Sequence, residues 1–250
     1  QIMKTTKSIV IVGASSGLGN RIATDFASWG WNVGVAARRT APLEELQAKF
    51  PGRVKCRQID VTSPDATHAF NDLVADNGMD ILLMASGVGF QNPDLEVQKE
   101  ISMLETNVVG WARIISAAYK YFAQTRGGIA PGRIAAITSV AGTKGLGCAA
   151  AYSASKRFQQ TYLQALDQLA RQQGANIRFT DIRPGFIRTD LLDSSKDYPM
   201  LMTVDYAAPL IEHAILSGKR IATVDWRWRL LTAAWKLIPD RLWSNIPVKL

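Results

Sequence analysis

Cysteine is nearly missing from this 250-residue chain: Cys56 and Cys148 are its two thiols, too few and too far apart for a disulfide framework. A reducing, cytoplasmic setting is expected. Histidine is as scarce, and His68 and His213 show no metal-ligand spacing. Both read as surface residues on helices, so no metal centre is expected. No run approaches the roughly 18 consecutive apolar residues of a membrane span. Residues 1–7 are too short and polar for a secretory signal, and Met3 reads as the natural start. Linkers, repeats and low-complexity stretches are also lacking. Acidic residues fall short of basic ones, 21 against 29, for a net charge of +8. Such a balance can mark nucleic-acid or lipid binding. The basic residues are scattered, however, until the last thirty positions, and no nucleic-acid-binding motif accompanies them.

What is present suits an ordinary globular protein: 47% hydrophobic and 20% charged residues, enough for a substantial core. Short runs rich in Ile and Val alternate with helical stretches. Strands are predicted over 8–12, 32–37, 53–59, 79–84, 133–138, 176–182 and 221–224. The third alternates apolar and charged residues, which suits a place nearer the sheet edge. Helices are predicted after the first glycine cluster and over 42–50, 150–173 and 205–216, with Pro209 tolerated near the first turn of the last. Ser63 is expected to cap a further helix that has Pro64 at its first position. Ile101, Leu104, Val108, Trp111, Ile115, Ala118 and Phe122 form one apolar face of a long helix or helix pair within 95–122. The alternation implies an α/β chain: a single-domain, doubly wound Rossmann fold whose mostly parallel seven-stranded sheet has helices on both faces. It should occupy residues 1–225, with 226–250 as a distinct tail.

Chemistry enters at Gly13, Ala14, Ser15, Ser16, Gly17, Leu18 and Gly19, between the first strand and its helix. Glycine lets backbone curl tightly and approach a pyrophosphate, and the following helix turns free N–H groups and a positive dipole end toward it. With its G-x-x-x-G-x-G spacing, the chain resembles the short-chain dehydrogenase/reductase family, and the likeness extends over almost its whole length. Cofactor choice should be written after the second strand, where an acidic residue would select NAD. This chain has Ala37, Arg38 and Arg39, and guanidinium forks suit the 2′-phosphate of NADPH. Ser15 adds a hydroxyl. The resemblance assigns Asp60 and Val61 to the adenine ring.

Tyr152 and Lys156 stand four apart, one turn along a helix face, and Ser139 lies thirteen residues before Tyr152. A phenol of ordinary pKa about 10 is a poor acid–base group near neutrality. Lowering it by about three units requires about 4 kcal/mol, which a nearby ammonium and an oxidised nicotinamide are expected to supply. The resemblance makes Tyr152 the proton donor, Ser139 the partner of the substrate carbonyl, and Lys156 the ligand of the nicotinamide ribose. It gives Asn107 a water that completes a proton relay. It also places Pro184, Gly185, Ile187 and Thr189 at the nicotinamide. Two departures stand out: Met84, Ala85, Ser86 and Gly87 replace the family's usual Asn, Asn, Ala, Gly, and Val12 replaces its usual Thr. Ala85, Ser86 and Gly87 remain cofactor-contact candidates.

The expected activity is hydride exchange with a carbonyl or secondary alcohol of a hydrophobic small molecule. Phe90, Cys148 and Phe186, with Tyr198, Met200 and Met202, are expected around the substrate. Homodimers or homotetramers follow from the resemblance. The tail mixes Trp226, Trp228, Trp235 and Trp243 with Arg227, Arg229, Lys236 and Arg241. A helix ending before Pro239 suits packing on the domain or on another subunit better than a membrane surface, which stays open as peripheral contact. Two other functions compete: a non-catalytic NADP-responsive sensor, and a lipid-surface protein acting through its tail.

Overall fold

The structure, a computed structural model, describes residues 6–125, 130–189, 192 and 197–248. Seven strands run β1 (Ser8–Val12), β2 (Asn32–Ala37), β3 (Val54–Gln58), β4 (Ile81–Met84), β5 (Gly132–Ile137), β6 (Ile177–Arg183) and β7 (Ile221–Thr223). Their order is β3-β2-β1-β4-β5-β6-β7 and every pairing is parallel. The expected fold class is therefore the observed one, and β3 is an edge strand, as its alternating charges implied. Parallel neighbours require crossovers, supplied by α1 (Gly17–Ser28), α2 (Ala41–Lys49), α3 (Ala66–Asn77), α4 (Val97–Leu104), α5 (Trp111–Thr125), α6 (Ala150–Gln172) and α7 (Val204–Ser217).

Central β1 is buried along its length, and its side chains alternate between two cores. Ile9 and Ile11 pack with Ile22 and Phe26 of α1 and Ile211 of α7. Val10 and Val12 join Phe70 of α3, Trp111 and Phe122 of α5, and Leu163 of α6. One five-residue run thus anchors both layers, because successive strand side chains point to opposite faces.

Several local expectations need correction. The apolar face over 95–122 is interrupted by a π turn at Glu105–Gly110. Trp111, Ile115, Ala118 and Phe122 are wholly buried beyond it, whereas Ile101 before it is 45% exposed. The extra residue in that turn rotates the two halves out of register. The helix expected at Ser63 starts at Ala66 instead; Ser63 Oγ accepts from the Asp65 N–H and supports a preceding turn. Pro209 lies in the second turn of α7, where it removes the N–H that would reach Asp205. Its exposed position leaves that carbonyl to water. His68 and His213 are exposed, and no metal-ligand cluster occurs among the described residues. Nor is any helix there long and apolar enough to cross a membrane.

Segment 226–248 folds back on the sheet as α8 (Trp226–Leu237) and α9 (Asp240–Trp243). Asp225 caps α8: its carboxylate accepts from the Arg227 N–H at 2.8 Å and from the Arg227 guanidinium at 2.6 Å. Farther along, Lys144 Nζ donates to the Ile238 carbonyl at 3.0 Å and Trp243 Nε1 to the Gly145 carbonyl at 2.7 Å.

An acid pair joins α1 to α7. Glu212 is buried, its Oε1 has no partner, and it faces Asp25, with Arg21 bridging Asp25 and Asp205. Burial, then the hydrogen bond with Asp25, pushes the Glu212 carboxyl up to about 7. The folded state therefore holds a proton that the unfolded chain releases near 4.5, and stability falls as pH rises between these values. Glu212→Gln should flatten this profile and stabilise the protein at pH about 8 by on the order of 2 kcal/mol, measured by urea unfolding across pH.

Candidate active site

Every strand of a parallel sheet delivers its following loop to the same rim. Here that rim carries Gly13 after β1, Arg38 and Arg39 after β2, Asp60 after β3, Ala85 to Gly87 after β4, Ser139 after β5 and Pro184 after β6. Between β1 and β4 the crossovers diverge to opposite faces, leaving a crevice at the switch point. It measures about 1040 Å³.

The dinucleotide-shaped half begins at the glycine turn. Gly13 has φ +98°, and a Cβ there would lie 2.3 Å from the Ser86 amide nitrogen. A Cβ at Gly19 would lie 2.1 Å from the Gly13 carbonyl oxygen, so both positions exclude side chains. Ser16, the N-cap of α1, makes no side-chain capping bond, and the first turn of α1 carries no acidic residue. The positive end of α1 is thus left open toward the crevice, as an anion site requires. Ser15, Gly17, Leu18 and Val61 line the same walls.

At the outer end, exposed Arg39 reaches Ser15 Oγ at 3.4 Å, and the Arg38 carbonyl accepts from Gln58 Nε2 at 2.9 Å. Burial raises the Asp60 carboxyl, but the Thr62 N–H and hydroxyl and the charge of Arg38 outweigh it. The net effect holds Asp60 below the usual carboxylate range. These groups form a cationic rim whose one acid is already bonded, and the cradle fits a nicotinamide dinucleotide.

The other half holds Ser139, Tyr152 and Lys156, the side chains expected to react. Ser139 lies two residues beyond β5 and accepts from the Ala141 N–H at 3.1 Å, which fixes its hydroxyl at the rim. Tyr152 and Lys156 sit in the first two turns of α6, with Lys156 Nζ 5.6 Å from the centre of the Tyr152 ring. Gly89 faces that ring, where a Cβ would come within 2.7 Å. Lys156 is 5% exposed and donates to the Ile137 carbonyl at 3.4 Å. Burial lowers its ammonium to about 8, against the opposing attraction of Asp181. Burial also pushes the Tyr152 phenol up, and the hydrogen bond from Ser139 only partly offsets that. The expected lowering of Tyr152 is therefore corrected for the protein alone. Desolvation dominates, because a buried phenolate loses more hydration than one neighbouring hydroxyl restores.

Asn107 lies behind the crevice rather than on its wall. Its Nδ2 donates to the Val88 carbonyl at 2.7 Å and to Ser155 Oγ at 3.1 Å, and its Oδ1 accepts from the Val88 N–H at 2.9 Å. Its backbone carbonyl accepts from Gln159 Nε2 at 2.9 Å. The π turn that carries Asn107 is thereby bolted to the Val88 loop and to α6. Cys148 is also displaced from its expected place. It stands outside the cavity wall, which Leu146 and Ala149 form instead, while its carbonyl anchors the Asn92 N–H. Phe90, Phe186, Ile187, Thr189, Tyr198 and Met200 do line the cavity, whereas Met202 is buried beneath it.

A family model described as short chain dehydrogenase matches residues 7–199. The chain belongs to that family. This short-chain dehydrogenase is 32% identical over 247 residues to an uncharacterized oxidoreductase of Myxococcus xanthus, with 95% of each chain covered. It is also 32% identical over 200 residues to farnesol dehydrogenase of Aedes aegypti, covering 76% of this chain and 80% of the relative. Its fold matches a short chain dehydrogenase from Burkholderia cenocepacia in complex with NADP, with a TM-score of 0.81, 18% identity and 98% of both chains covered. The protein is thus an oxidoreductase of the short-chain dehydrogenase family.

Several site residues of this dehydrogenase escaped the sequence reading. Gln160 Nε2 donates to the Ser139 carbonyl at 2.7 Å. Asp181, buried in β6, accepts from the Thr138 hydroxyl at 2.6 Å and pairs with Arg183. Trp228 of α8 presses on Gly185, where a Cβ would come within 2.1 Å of the indole, and it meets the Phe186 ring edge-on at 5.6 Å. A polar stripe at Tyr152, Lys156 and Gln159 or Gln160, repeating every turn of α6, was the signal for the glutamines. Trp228 gave none, because contact with Gly185 depends on how the tail folds back.

The buried Lys156 ammonium costs stability wherever it is charged. Its folded value of about 8 lies below the ordinary 10.5, so stability rises with pH between those values. Lys156→Met should stabilise the protein at pH 7 by on the order of 2 kcal/mol, with the gain fading toward pH 10.5, read from thermal melts across pH.

Proposed function

We propose that the protein is an NADPH-dependent oxidoreductase that reduces a carbonyl of a hydrophobic small molecule, or oxidises the matching secondary alcohol. The observation that carries this reading is the meeting of Ser139, Tyr152 and Lys156 at one end of a crevice whose other end is lined by Arg38 and Arg39. The glycine turn and the open N-terminus of α1 would hold the pyrophosphate, with Ala85, Ser86 and Gly87 beside it. Asp60 and Val61 would flank the adenine. Pro184, Gly185, Ile187 and Thr189 would stand at the nicotinamide, and Lys156 at its ribose. When bound, the dinucleotide supplies or accepts the hydride.

The chain's own residues handle the proton. A Tyr152 hydroxyl that keeps its proton is the form that carbonyl reduction needs, and burial holds it in that form. As the carbonyl oxygen gains charge, Tyr152 passes it the proton and Ser139 donates a hydrogen bond to it. Charge on Lys156 stabilises the phenolate left behind. Asn107 and Gln159 act by fixing the π turn against α6 and so holding the Val88 loop.

Substrate preference follows from the wall beside Tyr152. Leu146, Phe186, Tyr198, Met200, Leu231 and Trp235 form it, and an apolar ligand fits such a surface. The Aedes aegypti relative, named farnesol dehydrogenase, points the same way. Exposed Val97, Ile101 and Val109, set among Glu96, Lys99 and Glu105, suit pairing with a second copy of the chain.

Two measurements test this reading. A panel of apolar ketones and aldehydes should give NADPH oxidation that Tyr152→Phe lowers at least about a thousandfold, with NADPH affinity kept. Turnover that survives in the variant would exclude the proton route. Replacing Arg38 and Arg39 by Ala should weaken NADPH by about ten- to a hundredfold and leave NADH nearly unchanged, read as KM for each. Equal loss for both cofactors would remove the assignment of these arginines to the 2′-phosphate.

A further inference from the structure

Helix α8 is apolar on two opposite faces. Trp228, Leu231 and Trp235 point inward and line the cavity. Trp226, Leu230, Ala233 and Leu237 fall within a narrow arc on the other side, at 100° per residue. Of these, Trp226 is 62% exposed, Leu230 59% and Leu237 84%. The stripe continues past Pro239 into Leu242, 60% exposed, and Ile246, 44% exposed. A helix apolar on both faces is ordinarily covered on both.

Charge identifies the cover. Arg229 and Lys236 run along one flank of the stripe, and Arg241 follows in α9; all three are exposed. Asp240 is the single acidic residue between 226 and 248, and its carboxylate is bonded to Lys144 at 2.5 Å. We propose that this outer face of α8 and α9 docks on the surface of an anionic lipid bilayer. A helix lying flat with its apolar stripe down and cations along its flank has the form that such a surface binds. A second copy fits worse, since an antiparallel two-fold contact would bring each basic flank against its own like, and a parallel one would set it against the flank that carries Arg227. The bilayer also gives a reason for the cavity to be walled by the same helix, because an apolar substrate concentrates in the lipid beneath it. That last point rests on the proposed function; the docking itself does not.

Co-sedimentation of the full chain with vesicles of phosphatidylcholine mixed with phosphatidylglycerol, against phosphatidylcholine alone, tests the inference. Binding should require phosphatidylglycerol and fall as salt rises. A variant carrying Arg229→Gln, Lys236→Gln and Arg241→Gln should bind on the order of a hundredfold more weakly, and Leu230→Ser with Leu237→Ser should not bind. None of these side chains lines the cavity, so NADPH binding should persist and report that both variants are folded. Indifference of the chain to phosphatidylglycerol, or equal binding by the arginine and lysine variant, overturns the proposal. So does self-association that the leucine variant abolishes while vesicles are ignored, which would assign the face to a second copy. Vesicle binding by a chain without turnover would sink the enzymatic reading alone, and turnover without vesicle binding the docking alone.

Discussion

Parallel pairing of β1 with β4 is the constraint on which the rest of this molecule depends. Parallel strands cannot be joined by tight turns, so each must be followed by a crossover that covers a face. At β1 and β4 the crossovers leave in opposite directions, and the rim between them stays open. Residues separated by as much as the distance from Gly13 to Pro184 in sequence meet there because each directly follows a strand. The tight contact of Gly13 with the Ser86 backbone shows how little slack the switch point has.

Electrostatics in the crevice divides into a wet end and a dry end. Arg38 and Arg39 are exposed, so their charges cost little to keep and remain free to meet an anion. Lys156 and Tyr152 are held where burial works against both charged forms, lowering one group and raising the other. Desolvation and charge attraction oppose each other at this pair, and in the protein alone desolvation prevails. A cationic ring bound nearby would shift that balance. The polar stripe of α6, with Asn107 on its π turn, fixes the geometry in which this occurs, because the Asn107, Gln159 and Gln160 side-chain amides donate to backbone carbonyls and to the Ser155 hydroxyl.

The tail belongs to the site as much as to the surface. Asp225 adopts φ +73°, caps α8 and pairs with Arg227, so the chain turns sharply after β7 and returns over the crevice. Trp228 then packs on Gly185, just after β6 at the rim of the crevice. Contacts from Lys144 and Trp243 hold the far end of the segment beside the 3-10 turn that follows Ser139. A single helix thereby forms the wall of the cavity on one face and an uncovered apolar stripe on the other.

The sequence by itself determined the strand runs, their alternation with helices, the glycine turn and the Ser139, Tyr152 and Lys156 spacing. Each of these is encoded in residues close along the chain. It misjudged the face over 95–122, because a π turn that seats Asn107 against Val88 outweighs helical periodicity. It misplaced Cys148, since position between two site residues says nothing about which way a 3-10 turn points its side chains. Tertiary structure alone decided the burial of Lys156, the upward shift of Tyr152 and the seat of Trp228 on Gly185. Those depend on which distant segments exclude water from a given atom, and no local pattern carries that information.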